Sequence, residues 1–372
     1  MDNSFRFGDE FGPAKMVTLY NQAVGLKAVV AIDNVAAGPA IGGTRMAVDV
    51  SVEECFRLAR AMTFKNAAAG LPHGGAKSVI FADPSMSVDK KEVLIRAFAR
   101  AIKDLSEYIP GPDMGTNELT MAWIHDETGR AVGLPSAIGG IPLDEIGATG
   151  FGLSVAAGVL EEFSALKLDG ARIAVQGFGA VGRHAARFLR EKGSILVAAA
   201  DSRGAIHDPC GLDVEKLLRL KVEGASVVQY GGAKTGPAES IIATDCDILL
   251  PAARPDVISL SNVETVKAQI ILQGANIPVT IDAERRLHEK GTLSIPDFIA
   301  NSGGVIAASV EFHGGSEDQA MTTIAHKIAE NVRGVLEGWR TQNLPPRHVA
   351  NDLARARVQA AMRIRRFHSC LT

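Results

Sequence analysis

Residues 171–189 read "ARIAVQGFGAVGRHAARFL": a short apolar run, a glycine turn, then apolar residues recurring at helical spacing. The turn is Gly177-Phe178-Gly179-Ala180-Val181-Gly182, and the next apolar run, "SILVAAAD", ends nineteen residues past Gly182 at Asp201. Three glycines between strand and helix permit a tight turn, let backbone approach a pyrophosphate, and pack the helix on the strand. The helix N-terminus then offers N–H donors to the phosphates. A carboxylate at the end of the second strand can accept from the hydroxyls of an adenine ribose, and its charge opposes a 2′-phosphate. The glycine pattern alone is weak evidence, but strand, helix and acidic residue together predict dinucleotide binding. NAD is the expected cofactor. Arg203, two residues beyond Asp201, keeps NADP as a minor alternative.

Outward from this stretch, "DCDILLP" (245–251) and "QIILQ" (269–273) are further short apolar strands, and "TIDAERRLHEKG" (280–291) is a further helix. Strands and helices alternating at these lengths imply an α/β fold with a parallel sheet covered on both faces. The chain before residue 133 reads differently. "LKAVVAIDN" (26–34) is a strand and "AAGPAIGGTRM" (36–46) a loop; a helix starts at Ser51, where Glu54 completes a capping box. A second amphipathic helix covers 88–109 and stops at Pro110. The Gly- and Pro-rich stretch 133–152 separates the halves, and two long helical segments close the chain, around 321–339 and after Pro346.

Composition narrows the function classes. The chain has 372 residues and a net charge of −3, too little basic excess for a nucleic-acid surface. The basic stretch 363–369 suits the end of a helix. No apolar run is long enough to cross a membrane, and the first residues lack a signal pattern. Cys55, Cys210, Cys246 and Cys370 have no metal-binding spacing and suit a reducing, cytoplasmic setting.

Chemistry concentrates in "MTFKNAAAGLPHGGAKS" (62–78). Helical spacing from Ser51 puts Cys55, Leu58, Met62, Lys65 and Ala69 on one otherwise apolar face. Lys77 follows Gly74-Gly75-Ala76, where little bulk shields a ligand from its ammonium. Two cations at the edge of a dry cleft repel each other, which favours a neutral amine; one lysine could then act as a base while the other clamps a carboxylate. Asp113 sits in "IPGPDMGTNELT", just before a helix expected near Thr116. Singly, each has a bland reading: a lysine can snorkel, and an aspartate can close a turn. Together they point to a site.

These residues carry a resemblance. "LPHGGAKSVIFADP" (71–84) resembles the active-site signature of the glutamate/leucine/phenylalanine/valine dehydrogenases, and "GGTRM", "GPDMGT", "ATGFG", "LLPAA", "LQGAN" and "PDFIANSGGV" follow in that family's order. The resemblance covers nearly the whole chain. It implies an NAD(P)-dependent oxidative deamination of an amino acid, with Lys65 on the substrate α-carboxylate, Lys77 activating water and Asp113 transferring protons. It places Thr149, Ala252, Ala253 and Asn276 near the nicotinamide and its ribose, and Asn301 where it could help position cofactor or substrate. It further implies a substrate and oligomerisation domain of 1–145 plus about 342–372, a dinucleotide domain of 146–341, a cleft between them, and a homo-oligomer. No metal, membrane or nucleic-acid partner is expected.

The sequence departs from the glutamate branch in two places. The lysine that precedes the Gly-Gly of that branch is Ile41 here, beside Gly42, and the serine six residues after the position of Ser302 is Ala308. A second substrate carboxylate would enter an apolar pocket unpaired, at a cost of several kcal/mol, about 2–7. An apolar amino acid is expected instead, with glutamate as the alternative. Gly111 and Ala308, both small, leave room for a branched or aromatic side chain unless neighbouring side chains fill it.

Overall fold

The computed structural model describes residues 5–365. The first four residues, Cys370 and the end of the basic stretch 363–369 lie outside the described residues. The chain divides into two compact units. One runs to Leu143 and takes in Val305–Ala320 and the chain from Asn351; the other is Asp144–Gly304 with Met321–Ala350. This differs from an unbroken second domain over 146–341. Val305–Ala320 joins the first unit, where Ala308 packs with Ile41, Ile109 and Val132. Residues 342–350 stay with the second, where Arg347 is paired with Glu284 and Asp297.

The first unit contains β1 (Lys15–Asn21), β2 (Leu26–Asn34), β3 (Ala40–Ala47), α1 (Val52–Ala68), β4 (Gly74–Phe81), α2 (Val88–Ala101), β5 (Tyr108–Pro112) and α3 (Glu118–Thr128). Its sheet has the order β1-β2-β4-β3-β5. β2 is antiparallel to β1 and β4, and β3 runs parallel to β4 and β5. β2 is buried on both faces, which is why it reads as a nearly unbroken apolar run.

Two sequence expectations change here. The glycine-rich stretch 36–46 is no loop from Ala40 onward, because its glycines serve close backbone approach inside a sheet. A methyl at Gly42 would lie 1.7 Å from the Ala76 carbonyl oxygen of β4. The second helix ends at Ala101, and Tyr108–Pro112 is a strand paired with β3. Tyr108 and Ile109 are both fully buried, and adjacent buried residues fit a two-faced strand as well as a helix end. Phe98, Ile95 and Ile102 are fully buried with Tyr108, each apolar side chain contributing about 1.5–3 kcal/mol.

α1 starts after Ser51 as expected, the Ser51 hydroxyl accepting from the Glu54 N–H at 3.0 Å, but the reciprocal half of the capping box is not formed: Glu54 Oε1 accepts from Arg45 Nη1. Its buried face is Cys55, Ala59, Thr63, Asn66 and Ala67, whereas Leu58, Met62 and Lys65 are half-buried. Close packing decides this. A methyl at Gly75 would lie 2.0 Å from the Thr63 nitrogen, so the face against β4 takes small residues.

The second unit and the chain after it contain α4 (Ala148–Leu160), β6 (Arg172–Gln176), α5 (Ala180–Glu191), β7 (Ile195–Asp201), β8 (Gly204–His207), α6 (Val214–Val222), β9 (Lys234–Gly236), β10 (Ile248–Pro251), β11 (Ile270–Leu272), α7 (Ile281–Glu289), β12 (Leu293–Ile295), α8 (Asp297–Ala300), α9 (Gly303–Phe312), α10 (Glu317–Gln342) and α11 (Pro346–Ile364). The sheet order is β12-β11-β10-β6-β7-β8-β9. The five strands from β12 to β7 are parallel, and β8 and β9 extend one edge antiparallel. From β6 the chain builds outward through β7 on one side and later returns to β10 on the other. That reversal creates a crevice at the carboxyl ends of β6 and β10, the place where such sheets bind ligands. No described helix is long and apolar enough to cross a membrane.

Candidate active site

Lys77 lies in β4, buried, and its Nζ pairs with the Asp113 carboxylate one residue beyond β5. β3 runs between those two strands, and its Gly43 is what lets them meet. A methyl there would lie 2.8 Å from Asp113 Cβ and 3.0 Å from Lys77 Nζ. Arg45, which the sequence offered only as part of a motif, stands behind Asp113: Nη2 is 3.4 Å from Oδ1, and Nη1 donates to Glu54 Oε1 at 2.5 Å. The Met114 N–H also donates to Asp113 Oδ1 at 2.7 Å. Burial works to raise the Asp113 carboxyl, but Lys77 and Arg45 outweigh it and hold the group below its usual value. Expected repulsion from a second cation thus gives way, at Lys77, to an ion pair. Tyr108, Ser78 and Thr44 fix the strands around it, the phenol lying 2.8 Å from Ser78 Oγ and 3.2 Å from Thr44 Oγ1. A buried ammonium touching a half-buried carboxylate sets two proton-transfer groups side by side.

Lys65 lies in the last turn of α1, half-buried. Ile41, Ile109, Val132 and Ala308 pack together, buried, with Leu143 against them. Two of the sequence-derived pocket residues have close neighbours: a side chain at Gly42 would meet the β4 backbone, as above, and a methyl at Gly111 would meet Val132 Cγ2 at 3.2 Å, so Val132 borders the room expected there. Val132 was missed because it precedes a stretch read as a connector; its only signal is an apolar residue before Gly133.

On the second unit, Gly177 has a φ of +93°, which suits glycine, and a methyl at Gly182 would lie 2.1 Å from the Gly177 carbonyl oxygen. Nothing stands within 4 Å of where a Gly179 side chain would begin. No side chain caps α5 at Gly179, which leaves the first-turn N–H groups of Ala180 and Val181 open to an anion. The Phe178 side chain is buried in the core and leaves only its backbone to the turn. Beyond β10, the Ala252 N–H donates to the Gln176 carbonyl at 2.7 Å, and a methyl at Gly177 would lie 2.6 Å from Ala253 Cβ. Asn301 Nδ2 is 3.2 Å from the carbonyl oxygens of Gly274 and Ala275 and from Asn276 Oδ1. Its own Oδ1 is buried with no donor among the described residues. Thr149 lies in the first turn of α4, and a methyl at Gly304 would be 3.2 Å from its hydroxyl. This set fits a dinucleotide: an uncapped helix terminus, a cradle a side chain would fill, and an orphaned acceptor.

Asp201 is the exception. It ends β7 as expected, yet Oδ1 accepts from the Arg203 N–H at 3.0 Å and Ser226 Oγ at 2.8 Å, while Oδ2 accepts from Lys221 Nζ and the Val227 N–H, each at 3.0 Å. Both oxygens are saturated and the charge is paired, so the free ribose acceptor inferred from position is not what this side chain presents.

The family pattern described as "Glutamate/Leucine/Phenylalanine/Valine dehydrogenase" matches residues 139–366, and "Glu/Leu/Phe/Val dehydrogenase, dimerisation domain" matches 15–130. Over 356 residues the chain is 38% identical to a glutamate dehydrogenase of Aeropyrum pernix, covering 89% of this chain and 85% of that one. Its fold is similar to a hetero-hexameric glutamate dehydrogenase from Thermus thermophilus in a Leu-bound form, with TM-score 0.86, 30% identity, and 96% and 91% of the two chains covered. It is also similar to the L-tryptophan dehydrogenase of Nostoc punctiforme, with TM-score 0.72, 27% identity, and 95% and 97% covered.

Proposed function

The chain belongs to the Glu/Leu/Phe/Val dehydrogenase family of NAD(P)-dependent amino acid oxidoreductases, and from that premise we propose that it reversibly deaminates an L-amino acid with an apolar side chain. The observation that supports this choice is the packing of Ile41 with Ile109, Val132 and Ala308, which puts apolar side chains at the two positions where the glutamate branch has a lysine and a serine. With Val132 against Gly111, branched aliphatic side chains fit the reading better than aromatic ones.

In this reading Lys65 holds the α-carboxylate. Asp113, kept ionised by Lys77 and Arg45, accepts a proton from the substrate amino group. A dinucleotide held by the 177–182 turn and by Asn301 would supply the hydride acceptor for Cα. With Asp113 neutralised by that proton, Lys77 loses its ion-pair partner, releases its own proton to solvent and takes one from water as the water oxygen bonds to the imino carbon. Asp113 returns its proton to the nitrogen; as ammonia leaves, the hydroxyl proton passes to the freed Asp113 carboxylate and a 2-oxo acid remains. NAD stays the preferred cofactor in this proposal, with NADP as the minor one, and with Asp201 saturated the preference is not assigned to its charge. The enzyme is read as a cytoplasmic homo-oligomer, from its cysteine usage and the dimerisation-domain match.

Glutamate is the second reading, and the names of the similar proteins favour it: the Aeropyrum pernix and Thermus thermophilus proteins are both glutamate dehydrogenases. Ile41→Lys separates the two. If the pocket is apolar, the substitution supplies a missing cation and raises kcat/KM for glutamate relative to leucine by about tenfold or more. If the γ-carboxylate already has a partner elsewhere, a second cation leaves the ratio unchanged or lowers glutamate activity. Lys65→Ala should chiefly raise KM for the amino acid, because the carboxylate contact exists in ground and transition states alike. Steady-state kinetics that show kcat falling with KM unchanged would contradict that role.

A further inference from the structure

We propose that Glu311 is a positioning residue for substrate selection, its carboxylate anchoring the loop that walls the amino-acid side-chain site. Glu311 lies on α9, three residues after Ala308. Its oxygens accept three backbone hydrogen bonds, from the N–H of Gly133 at 2.6 Å, Leu134 at 2.9 Å and Ile141 at 3.3 Å. Between those donors the only regular structure is the single turn Ser136–Ile138. Leu134 and Ile141 are buried, so their N–H groups have no ready exchange with water, and a buried donor left unpaired is costly.

The bonds fall at both ends of the loop, each close to a residue of the apolar cluster. Val132 directly precedes Gly133, and Leu143 follows Ile141 by two residues. One carboxylate therefore sets where both walls stand, while Ala308 of the same helix supplies a third. A carboxylate suits the task because it is acceptor-only, with about four lone-pair sites on two oxygens. An amide of the same shape would aim one NH2 at a backbone donor. Among the described residues the hydrogen bonds of Glu311 go to the loop's backbone, so it acts through Val132 and Leu143. The inference rests on the side-chain site proposed above, though not on which amino acid fills it.

The test compares wild type, Glu311→Ala and Glu311→Gln. KM and kcat are measured for the amino acid the wild type prefers and for L-alanine, which has the least side chain to place against the walls; NADH affinity is read by fluorescence. Glu311→Ala should raise KM for the preferred substrate about tenfold while kcat, the alanine KM and NADH affinity stay within about twofold. Glu311→Gln, keeping one acceptor, should fall between. Hydrogen exchange should show the 131–143 segment losing protection in both variants. Proportional losses on all substrates, or no change in the preferred-to-alanine ratio, would overturn the proposal. If Glu311→Ala does not accumulate as folded protein, the ratio in Glu311→Gln decides by the same criterion. A wild type that prefers glutamate defeats the apolar reading alone, and the anchor is then judged on the glutamate-to-alanine ratio.

Discussion

Lys77→Ala is expected to lower kcat by about a hundredfold or more, the scale of losing a positioned general base, with NADH affinity by fluorescence unchanged. Lys77 is buried at 6% exposure, Gly43 keeps the space between it and Asp113 clear, and Arg45 holds Asp113 from behind. Alanine removes the base and also strips Asp113 of its closest cation, so proton transfer fails at two points. The dinucleotide residues lie on the other compact unit and are untouched. Near-normal turnover in this variant would refute the mechanism while leaving the family assignment intact.

Arg347→Ala should cost about 3–5 kcal/mol of stability, read from the denaturant midpoint and slope, because it leaves buried carboxylates without their cation. Arg347 donates from Nε to Glu284 Oε2 at 2.5 Å, and from Nη2 to Asp297 Oδ1 at 2.7 Å and Gln273 Oε1 at 3.0 Å. Burial lifts the Glu284 carboxyl above its usual value even with this arginine beside it. Asp297 in turn accepts from the Ile277 N–H at 2.8 Å, next to Asn276. A loss under about 1 kcal/mol would put the cluster in the class of solvent-screened surface pairs and contradict its burial.

The dinucleotide half was legible because its signals are local. β6, the glycine turn, α5 and the Asp201 strand end all follow from residues 171–201. Lys77 and Asp113 were legible because charged or turn-forming residues among small, apolar neighbours call for a reason. What escaped depends on distant partners. Strand β3 looked like a loop because its glycines answer to the β4 backbone, which no local pattern reveals. Asp201 was given a ribose because Lys221, Ser226 and Val227, which saturate it, come 20 to 26 positions later. The space at Gly111 is bordered by Val132, and Glu311 meets Gly133 across 178 residues of chain. The lysine stripe on α1 was drawn from apolarity, whereas the sheet selected for smallness and turned the helix toward Ala59, Thr63 and Ala67.

The central claim is an amino acid dehydrogenase with an apolar side-chain site. It is tested most directly by NADH formation from purified protein and NAD at alkaline pH, across L-alanine, L-valine, L-leucine, L-phenylalanine and L-glutamate. The account predicts that kcat/KM rises from alanine to leucine, as about 0.8 kcal/mol per buried CH2 accrues, with phenylalanine behind the branched substrates and glutamate well behind leucine. Glutamate turned over faster than every apolar amino acid would contradict it.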